Sequence, residues 1–427
     1  MASLSEQVWK AGGQTGLPRR DRMACTYHAY LPDRLVGRSL RLDGGVAADV
    51  GEAEAAVIKL NMEARALCDS EALARLLLRS ESVASSKIEG LEVGARRLLR
   101  VEAARTIGES STDVTANDVL GNIDAMVGAL GSLEEGEPIT LNLLLGAHRR
   151  LLAGTRLAEH GGRTRTEQNW MGGSAFNPCS AAFVPPPWEL VDGYLADLVQ
   201  FCNEDSLSPI AQAAVAHAQF ETIHPFIDGN GRTGRVLVHL VLRRRGLAPR
   251  VLPPVSLVLA TWATEYIDAL TATRYVGSAD CADAHAGLNR WIGLFATACR
   301  RAVDDAAAFE NRVASLKETW RSRLGRVRAN SATDLLIRAL PGMPVFTVQG
   351  AATLVGRSIP AVNDAVARMV QAKVVVQSTV GKRNRAFEAS ELVRAFTDLE
   401  RQLASPTGDT RASPPTRRVP RRTAENG

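Results

Sequence analysis

Two segments rich in alanine, valine and leucine enclose a glycine turn near the middle of this 427-residue chain. Residues 208–223 and 232–245 have the length and composition of buried helices, so they predict the centre of a helical bundle. The turn runs His224-Pro-Phe-Ile-Asp-Gly-Asn-Gly and leads into Arg232 and Arg235. A turn that opens directly into a helix presents free backbone N–H groups and the positive end of the helix dipole. The sequence therefore predicts an anion site there.

Two common glycine-rich phosphate loops do not explain this turn. Residues 229–234 read G-x-G-x-x-G, but the dinucleotide-binding fingerprint needs a buried strand before the turn, and here an alanine-rich helix precedes it. A Walker A loop requires Gly-Lys-Ser/Thr at its end, which the turn lacks. Arg232 and Arg235 lie on one face of the following helix, where a polyphosphate or a carboxylate would share their charge.

Length and composition favour a mainly α-helical protein of two or three domains. Aromatic residues make up 5% of the chain, whereas alanine, leucine, valine and arginine are plentiful, a bias that favours helices over sheets. The sequence has no apolar run long enough to cross a bilayer, no secretory leader pattern and no C-x-x-C pair among its six cysteines. We therefore expect a cytoplasmic protein with no membrane partner, no disulfide framework and no structural zinc site.

Helical periodicity and punctuation by glycine and proline divide the chain into five parts. Residues 1–47 look irregular, and glycine and proline pairs between 163 and 184 predict a β-hairpin with a loose loop. The predicted parts are an N-terminal region over 1–95 with a helix near 80–90, a helical core over 96–300, a helical connector over 301–329, a winged helix-turn-helix over 330–398 and a basic disordered tail over 399–427.

The C-terminal part carries the excess positive charge. Residues 330–395 hold eight Lys/Arg and four Asp/Glu, and residues 405–427 hold five Arg and two acids, or +4 and +3 against a total of +5. Candidate DNA contacts in the wing are Lys382, Arg383 and Arg385. The proposed recognition helix over 359–371 is nearly neutral, so docking of a protein stays the alternative use of this module.

The central turn resembles the signature of the Fic (filamentation induced by cAMP) family, H-P-F-x-[D/E]-G-N-G-R-x-x-R, and every specified position between His224 and Arg235 is matched. Looser similarity extends over most of residues 25–300, at the flanking positions Gly162, Arg165, Gln168, Asn169, Trp170, His217, Ala218, Phe220, Glu221 and Ile223. The resemblance implies a mainly α fold in which residues 96–300 form a Fic-type helical bundle. The hairpin over 162–187 would be its flap, aligning a target segment by backbone pairing.

Family enzymes transfer AMP from ATP to a protein hydroxyl, and the resemblance implies roles for the matched residues. His224 would be the general base that takes a proton from a Ser, Thr or Tyr hydroxyl, and Asp228 would hold Mg²⁺. The implied phosphate-binding residues, including the amide of Asn230, are Gly229, Asn230, Gly231, Arg232 and Arg235. Tyr266 would line the adenine pocket. Related enzymes often carry a Tyr and an Asn where this chain has Ile267 and Arg274, so the nucleobase that the pocket prefers stays open.

A second pattern, Ser85-Ser-Lys-Ile-Glu89-Gly90, resembles the inhibitory helix of the family, [S/T]-x-x-x-E-[G/N]. It implies that Glu89 pairs with Arg235 and fills the γ-phosphate site, and its position before the core implies the N-terminal inhibitory class. Two other functions stay open: a DNA-binding regulator that uses a repressed Fic core as a sensor, and an enzyme that removes AMP. The expected partners are ATP, a target protein that can be the chain itself, DNA at the C-terminal module and a second copy in a homodimer.

Overall fold

The computed structural model describes residues 1–10, 19–66, 70–380 and 384–404. The helices in these residues are α1 (Arg19–Arg22), α2 (Gly44–Ala66), α3 (Ser70–Ile88), α4 (Ala95–Arg105), α5 (Val114–Leu130), α6 (Leu141–Leu152), α7 (Val191–Cys202), α8 (Pro209–Ile223), α9 (Asn230–Arg244), α10 (Val255–Thr261), α11 (Ala263–Ala272), α12 (Ala282–Leu324), α13 (Ala332–Ala339), α14 (Val348–Val355), α15 (Ile359–Gln371) and α16 (Ser390–Ala404). The strands are β1 (Ser3–Trp9), β2 (Cys25–Leu31), β3 (Val345–Thr347), β4 (Val376–Val380) and β5 (Asn384–Glu388). The mainly α prediction is confirmed, and no helix in this part of the chain is long and apolar enough to span a membrane.

Helices α8 and α9 form the centre of the molecule, as their composition predicted. Pro209 stands in the first turn of α8, where its missing N–H costs nothing, and the Ser208 side chain caps that turn. Nearly every residue of both helices is buried, including their alanine, valine and leucine side chains. The main hydrophobic core wraps around this pair with contributions from α2, α7, α10, α11 and the first half of α12.

Helix α12 runs without a break from Ala282 to Leu324, so the predicted core and the predicted connector share one helix. The helix contains Gly287, although glycine is a weak helix former. A Cβ at Gly287 would lie 1.8 Å from the carbonyl oxygen of Ala272. The glycine is therefore needed for the close packing of α11 against α12, and it does not end the helix.

The sequence predicted that residues 1–47 are irregular, but the structure has two paired strands among them. Strands β1 and β2 pair antiparallel, with Ser3 opposite Leu31 and Trp9 opposite Cys25. Both strands alternate exposed and less exposed residues. Because they are well separated along the chain, local sequence patterns do not reveal that they pair. A disulfide also joins Cys25 to Cys179 of the flap, which corrects the expectation of no disulfide. The two cysteines are 154 residues apart, so only the tertiary fold brings them together.

The flap over 162–187 is a hairpin with very little regular pairing. Met171 and Phe183 form an isolated antiparallel bridge, in which the Met171 N–H donates to the Phe183 carbonyl at 2.8 Å. The Asn177 side chain caps a short 3-10 turn at the tip. The predicted hairpin is therefore present, held by one bridge and by the bond between Cys25 and Cys179.

The C-terminal module consists of α13, α14, α15 and a three-stranded antiparallel sheet in the order β3–β5–β4. The helices and the two later strands lie where the sequence predicted them, and β3 was missed because it has only three residues. Helix α16 continues to Ala404, so residues 399–404 are helical and do not belong to the predicted disordered tail. Lys382 and Arg383 of the predicted wing lie outside the described residues, and so does the predicted tail beyond residue 404.

Helix α3 lies between the main helical core and the C-terminal module. On α3, Leu77 belongs to the main core, whereas its neighbour Leu76 belongs to a second core that includes Leu340 and Phe346 of the module. Helix α4, which the sequence did not predict, packs against the module through Leu99 and its neighbours. The two halves of the chain therefore share buried apolar surface through α3 and α4.

Candidate active site

The structure places His224 at the junction between α8 and the motif loop. His224 ends α8 in a left-handed conformation with φ of 49°, which is uncommon for a residue with a side chain. Its side chain is half-buried, so it is not locked in apolar packing. Burial first, and then the positive charges of Arg165 and Arg274, lower the pKa of His224 to about 4. The imidazole is therefore neutral at physiological pH and able to accept a proton.

The loop after His224 is closed by the Asn230 side chain. The Asn230 amide nitrogen donates to the Phe226 carbonyl, and its oxygen accepts from the Phe226 N–H, both at 2.8 Å. The Asn230 amide therefore holds the motif loop, and its second N–H is left for the phosphate contact that the resemblance implied. Gly229 adopts φ of 75°, and a Cβ there would lie 2.7 Å from Leu151. Only glycine fits this turn without displacing its neighbours.

His148 on α6 supports the loop and was not predicted from the sequence. Its ring stacks on Phe226 with centroids 3.7 Å apart. Its Nδ1 accepts from the Gly162 N–H at 3.0 Å, so the proton is on Nε2, which donates to the Asp228 carbonyl at 3.0 Å. Burial lowers the pKa of His148 to about 4, which keeps this tautomer neutral. His148 thereby fixes the motif loop and the start of the flap together.

Arg165 connects the other side of the flap to the backbone of His224. It is 2% exposed, its Nε donates to the His224 carbonyl at 2.9 Å, and its Nη2 donates to the Pro186 carbonyl. The Asn169 amide donates to the carbonyls of His224 and Phe226 at 3.3 and 3.1 Å. Burial lowers the pKa of Arg165 to about 10. These bonds hold the backbone of His224 in its left-handed conformation.

Asp228 and Arg232 line the open side of the loop. The Arg232 Nη2 donates to Asp228 Oδ2 at 3.2 Å, and the Asp228 side chain is 50% exposed. The Arg232 Nε is buried without a hydrogen-bond partner among the described residues, so a further acceptor would fit there. Asp118 on α5 is a third charged neighbour that the sequence did not reveal. Burial, and then the charge of Asp228, raise the pKa of Asp118.

Glu89 and Arg235 form the ion pair that the resemblance implied. Arg235 Nη2 donates to Glu89 Oε1 at 2.7 Å and to the Ser85 carbonyl at 2.7 Å, while Arg235 Nε donates to Ser85 Oγ at 2.8 Å. Burial works to raise the pKa of Glu89, but Arg235 outweighs it and the pKa lies below 4.5. Gly90 follows with φ of 79°, which lets the chain turn away after Glu89.

The Glu89 carboxylate also occupies the space over Gly231. A Cβ at Gly231 would lie only 1.9 Å from Glu89 Oε1, so the carboxylate lies directly on the glycine backbone at the start of α9. This is the position where free N–H groups of the first helical turn attract an anion. The structure therefore places an anion at the site that the sequence predicted, and the anion is the chain's own Glu89.

Tyr266 is 4% exposed, so in this conformation it faces the protein interior and not an open pocket. Its hydroxyl lies 2.7 Å from Nε2 of His217. Glu221, near Gly234, has one buried carboxylate oxygen without a partner among the described residues, and burial, followed by the charge of Glu89, raises its pKa to about 7. Ile267, next to Tyr266, is 60% exposed.

Comparison with known proteins agrees with this geometry. The family model described as "Fic/DOC family" matches residues 138–242, and "Fic/DOC family N-terminal" matches residues 47–131. Protein adenylyltransferase fic-1 of Caenorhabditis briggsae is 32% identical over 217 residues, which cover 48% of this chain and 40% of that protein. Protein adenylyltransferase Fic of Drosophila virilis is 38% identical over 144 residues, which cover 32% of this chain and 27% of that protein. The chain thus spans less than half the length of these curated relatives.

The fold is also similar to that of a solved protein. A Fic family protein from Desulfovibrio desulfuricans G20 superposes with a TM-score of 0.50 and 21% identity, over 82% of this chain and 97% of that one. The family models cover both the segment that holds Glu89 and the segment that holds the loop from His224 to Arg235. The chain is therefore similar to Fic/DOC family proteins in two matched segments, residues 47–131 and 138–242, and in its fold.

Proposed function

We propose that this protein is an adenylyltransferase that moves AMP from ATP to a Ser, Thr or Tyr hydroxyl of a protein, its own chain included, and that Glu89 represses it. The observation that carries the proposal is the ion pair of Glu89 with Arg235 beside a neutral His224. Relatives at 32% and 38% identity are named protein adenylyltransferases, which supports the same reaction. A site that holds its own carboxylate where phosphate would bind fits a repressed enzyme.

The transfer uses residues that the structure brings together. His224 accepts the proton of the target hydroxyl as the hydroxyl oxygen forms a bond to the α-phosphorus. The bond between that phosphorus and its bridging oxygen breaks, and pyrophosphate leaves. The N–H groups of the first turn of α9 and the Arg232 guanidinium stabilise the negative charge on the phosphates. Arg235 can bind the γ-phosphate only after its guanidinium has been released by Glu89.

Asp228 fits the role of a magnesium ligand. Its carboxylate is half exposed beside the phosphate site, and the described residues contain no group of three or more His, Cys, Asp or Glu side chains able to hold a metal by themselves. A single carboxylate completed by substrate phosphates is a common way to bind Mg²⁺. When bound, Mg²⁺ would neutralise charge on the phosphate oxygens.

Incubation of the full chain with labelled ATP and Mg²⁺ tests the proposal. We expect weak self-labelling of the wild type and at least tenfold stronger labelling of Glu89→Gly, because Arg235 is then free to bind phosphate. Glu92→Gly, which changes an exposed glutamate three residues further on, is the matched control and should behave like the wild type. Adding His224→Ala to Glu89→Gly should abolish the label.

Each outcome of that assay decides one part of the proposal. Equal labelling of wild type and Glu89→Gly would remove the brake. Labelling that survives His224→Ala would remove the general base. No label in any variant would reject transfer of AMP and favour a regulator with a repressed core. Release of AMP from labelled protein by the wild type would instead favour an enzyme that removes AMP.

A second candidate function is DNA binding by the C-terminal module as a winged helix-turn-helix. The order of α13, β3, α14, α15, β4 and β5 favours it, and Arg385 on β5 is exposed. Base reading by α15 would be sparse, because Arg368 already donates to the carbonyls of Leu324 and Arg326 at 2.8 and 2.7 Å. The contacts would therefore be to phosphates, from Arg385 and the flanking Lys382 and Arg383.

Titration of the full chain with duplex DNA at several salt concentrations tests this second function. We expect affinity to fall as salt rises, and Arg385→Gln to lower the salt dependence by about one released counterion. Arg290→Gln, an exposed arginine on α12, is the matched control. Binding that does not change with salt, or that Arg290→Gln weakens as much as Arg385→Gln does, would speak against this function and favour protein docking.

A further inference from the structure

A buried polar cluster lies on α3 one helical turn before Ser85. It consists of Glu81 of α3, His239 of α9, Ser256 of α10 and Cys299 of α12, each of them at most 1% exposed. The Ser256 N–H donates to Glu81 Oε2 at 2.7 Å, and the Ser256 hydroxyl donates to Glu81 Oε1. None of these four side chains has a role in the proposed transfer of AMP.

The Glu81 carboxylate depends on His239 for its charge balance. Glu81 Oε1 lies 2.9 Å from His239 Nε2, whereas Glu81 forms no ion pair with a lysine or an arginine in the described part of the chain. At this distance a proton must be on one of the two groups, because two lone pairs would repel each other. Neither ring nitrogen of His239 forms an aligned hydrogen bond among the described residues, so the contact is electrostatic. Burial, and then the charge of Glu81, raise the pKa of the Cys299 thiol, which therefore stays neutral.

This cluster is in register with the contacts around Glu89. Residues four apart lie on the same face of a helix, and on α3 and α9 such residues meet in opposite order along the chain. The two helices are therefore antiparallel and joined by three polar contacts. These are Glu81 with His239, Ser85 with Arg235, and Glu89 with Arg235 and Gly231.

The pair of Glu81 and His239 does not serve stability alone. Apolar side chains of similar volume hold two helices together at least as well as a buried ion pair does. A polar pair adds a fixed register, because a small slip of one helix along the other separates the two groups. The other buried side chains of this part of α3 are small and set the register weakly. They include Ser80, Ser82, Ala84, Ser85 and Ser86.

We propose that Glu81 and His239 are positioning residues for the brake, which is the ion pair between Glu89 and Arg235. Their buried pair fixes α3 on α9 in the register in which Glu89 reaches Arg235. The proposal rests on the repression by Glu89 proposed above. Without His239 the Glu81 carboxylate is buried with no counter-charge. Movement of α3 toward water relieves that cost and draws Glu89 away from Arg235.

Labelled ATP and hydrogen exchange, both with the full chain, test the proposal. His239→Phe keeps a planar ring but provides no proton for Glu81. It should raise self-labelling at least threefold and speed exchange at the amides of residues 85–88. In a Glu89→Gly background the same change should add nothing, because the brake is already absent. Leu198→Ala truncates a buried leucine of α7 and is the control for a general loss of stability, so both measurements should stay at the wild-type rate.

Two further variants separate the charge from the ring. Adding Glu81→Gln to His239→Phe should restore part of the repression, since no unpaired charge is then buried. Glu81→Gln alone keeps an acceptor for the Ser256 N–H and should raise labelling and exchange less than His239→Phe does. This variant keeps the test valid if His239→Phe fails to fold.

Wild-type labelling and exchange in both His239→Phe and Glu81→Gln would overturn the proposal. An equal gain of label with and without Glu89→Gly would also overturn it, because the pair would then act outside the brake. Lower labelling in both backgrounds would assign the pair a merely structural role. If no variant is labelled at all, transfer of AMP is rejected, and exchange at residues 85–88 alone decides whether the pair positions α3.

Discussion

At the scale of single residues, the proposed inhibition depends on one guanidinium group, that of Arg235. Arg235 is 2% exposed and is held by the carboxylate of Glu89 and by two oxygens of Ser85. Burial alone would lower the pKa of Arg235, but Glu89 more than offsets it and the pKa is raised. The ion pair therefore stays fully charged at every physiological pH, and mild acidification leaves the brake in place.

The Ser85 hydroxyl should contribute measurably to the brake. Ser85→Ala leaves the Nε of Arg235 buried without its acceptor, which costs about 1–3 kcal/mol. We expect self-labelling with labelled ATP to rise to a rate between those of wild type and Glu89→Gly. Ser80→Ala is the matched control, because that buried hydroxyl of α3 bonds only to the Leu76 carbonyl. Equal rates for Ser85→Ala and Ser80→Ala would show that the hydroxyl does not support the brake.

Glu221 should make stability depend on pH. Its folded pKa is raised to about 7 from 4.5, so its protonated form stabilises the fold below pH 4.5, and this contribution is lost as pH rises through 7. Glu221→Gln should therefore raise the melting temperature at pH 8, by a few degrees for about 2 kcal/mol, and change little at pH 4.5. Thermal unfolding at both pH values, with the exposed Glu92→Gln as control, is the measurement. A gain that is equal at both pH values would contradict this assignment.

The sequence predicted the residues of the site better than their supporting contacts. The motif brings His224, Asp228, Arg232 and Arg235 close together because they are neighbours along one loop and helix. The pairing with Glu89 came from the resemblance to the family and not from spacing. The roles of His148, Asp118 and Glu221 depend on contacts between helices that are distant in sequence. Such contacts leave no local pattern, so only the structure reveals them.

At the scale of elements, the flap depends on contacts from outside itself. Its own pairing is a single bridge, whereas the disulfide between Cys25 and Cys179 and the hydrogen bond from Asn177 to the Asp21 carbonyl attach its tip to the N-terminal segment. The edge of Trp9 on β1 also packs against Trp170, with centroids 5.5 Å apart. The N-terminal hairpin therefore supports the surface that would align a target segment.

Loss of the disulfide should loosen the flap. In Cys179→Ser we expect faster hydrogen exchange at the amides of Met171 and Ala182, two of the backbone donors within the flap. Peptide mapping without reductant should also recover the peptides of Cys25 and Cys179 joined in the wild type. Cys281→Ser is the matched control, because serine can keep the cap that Cys281 provides for α12. Exchange at Met171 that stays at the wild-type rate would show that the flap does not need this bond.

Element boundaries were predictable wherever the chain carries its own signals. Helices α6 and α15 begin and end where they were predicted, since Thr140 and Ser358 cap their first turns and apolar residues repeat at helical spacing. The start of helix α12 and the presence of strand β3 were not predicted. Helix α12 contains a glycine that its packing requires, and β3 is too short to show a pattern.

At the scale of the whole molecule, Arg79 joins three parts of the chain. It is 5% exposed on α3, and its Nη2 donates to Glu102 of α4 at 2.8 Å and to the Gly342 carbonyl of the C-terminal module at 3.2 Å. The helix that carries Ser85 is therefore held in place from both sides. We expect the brake to depend on this contact although it lies outside the site.

Replacement of Arg79 should weaken the fold and the brake together. Arg79→Met leaves the Glu102 carboxylate without its partner, which should lower the free energy of unfolding by about 2 kcal/mol and raise self-labelling severalfold. Arg75→Met is the control on the same helix, because its pair with Glu71 is exposed. Chemical denaturation and the labelling assay measure the two effects. A variant that loses stability without gaining label would separate the brake from this contact.

Leu76 and Leu77 are adjacent on α3, yet each enters a different hydrophobic core. A recombination that exchanged the C-terminal module for an unrelated domain would leave the Leu76 side of the helix bare to water. The helix that carries Ser85 therefore depends on the C-terminal module to keep part of its apolar surface out of water.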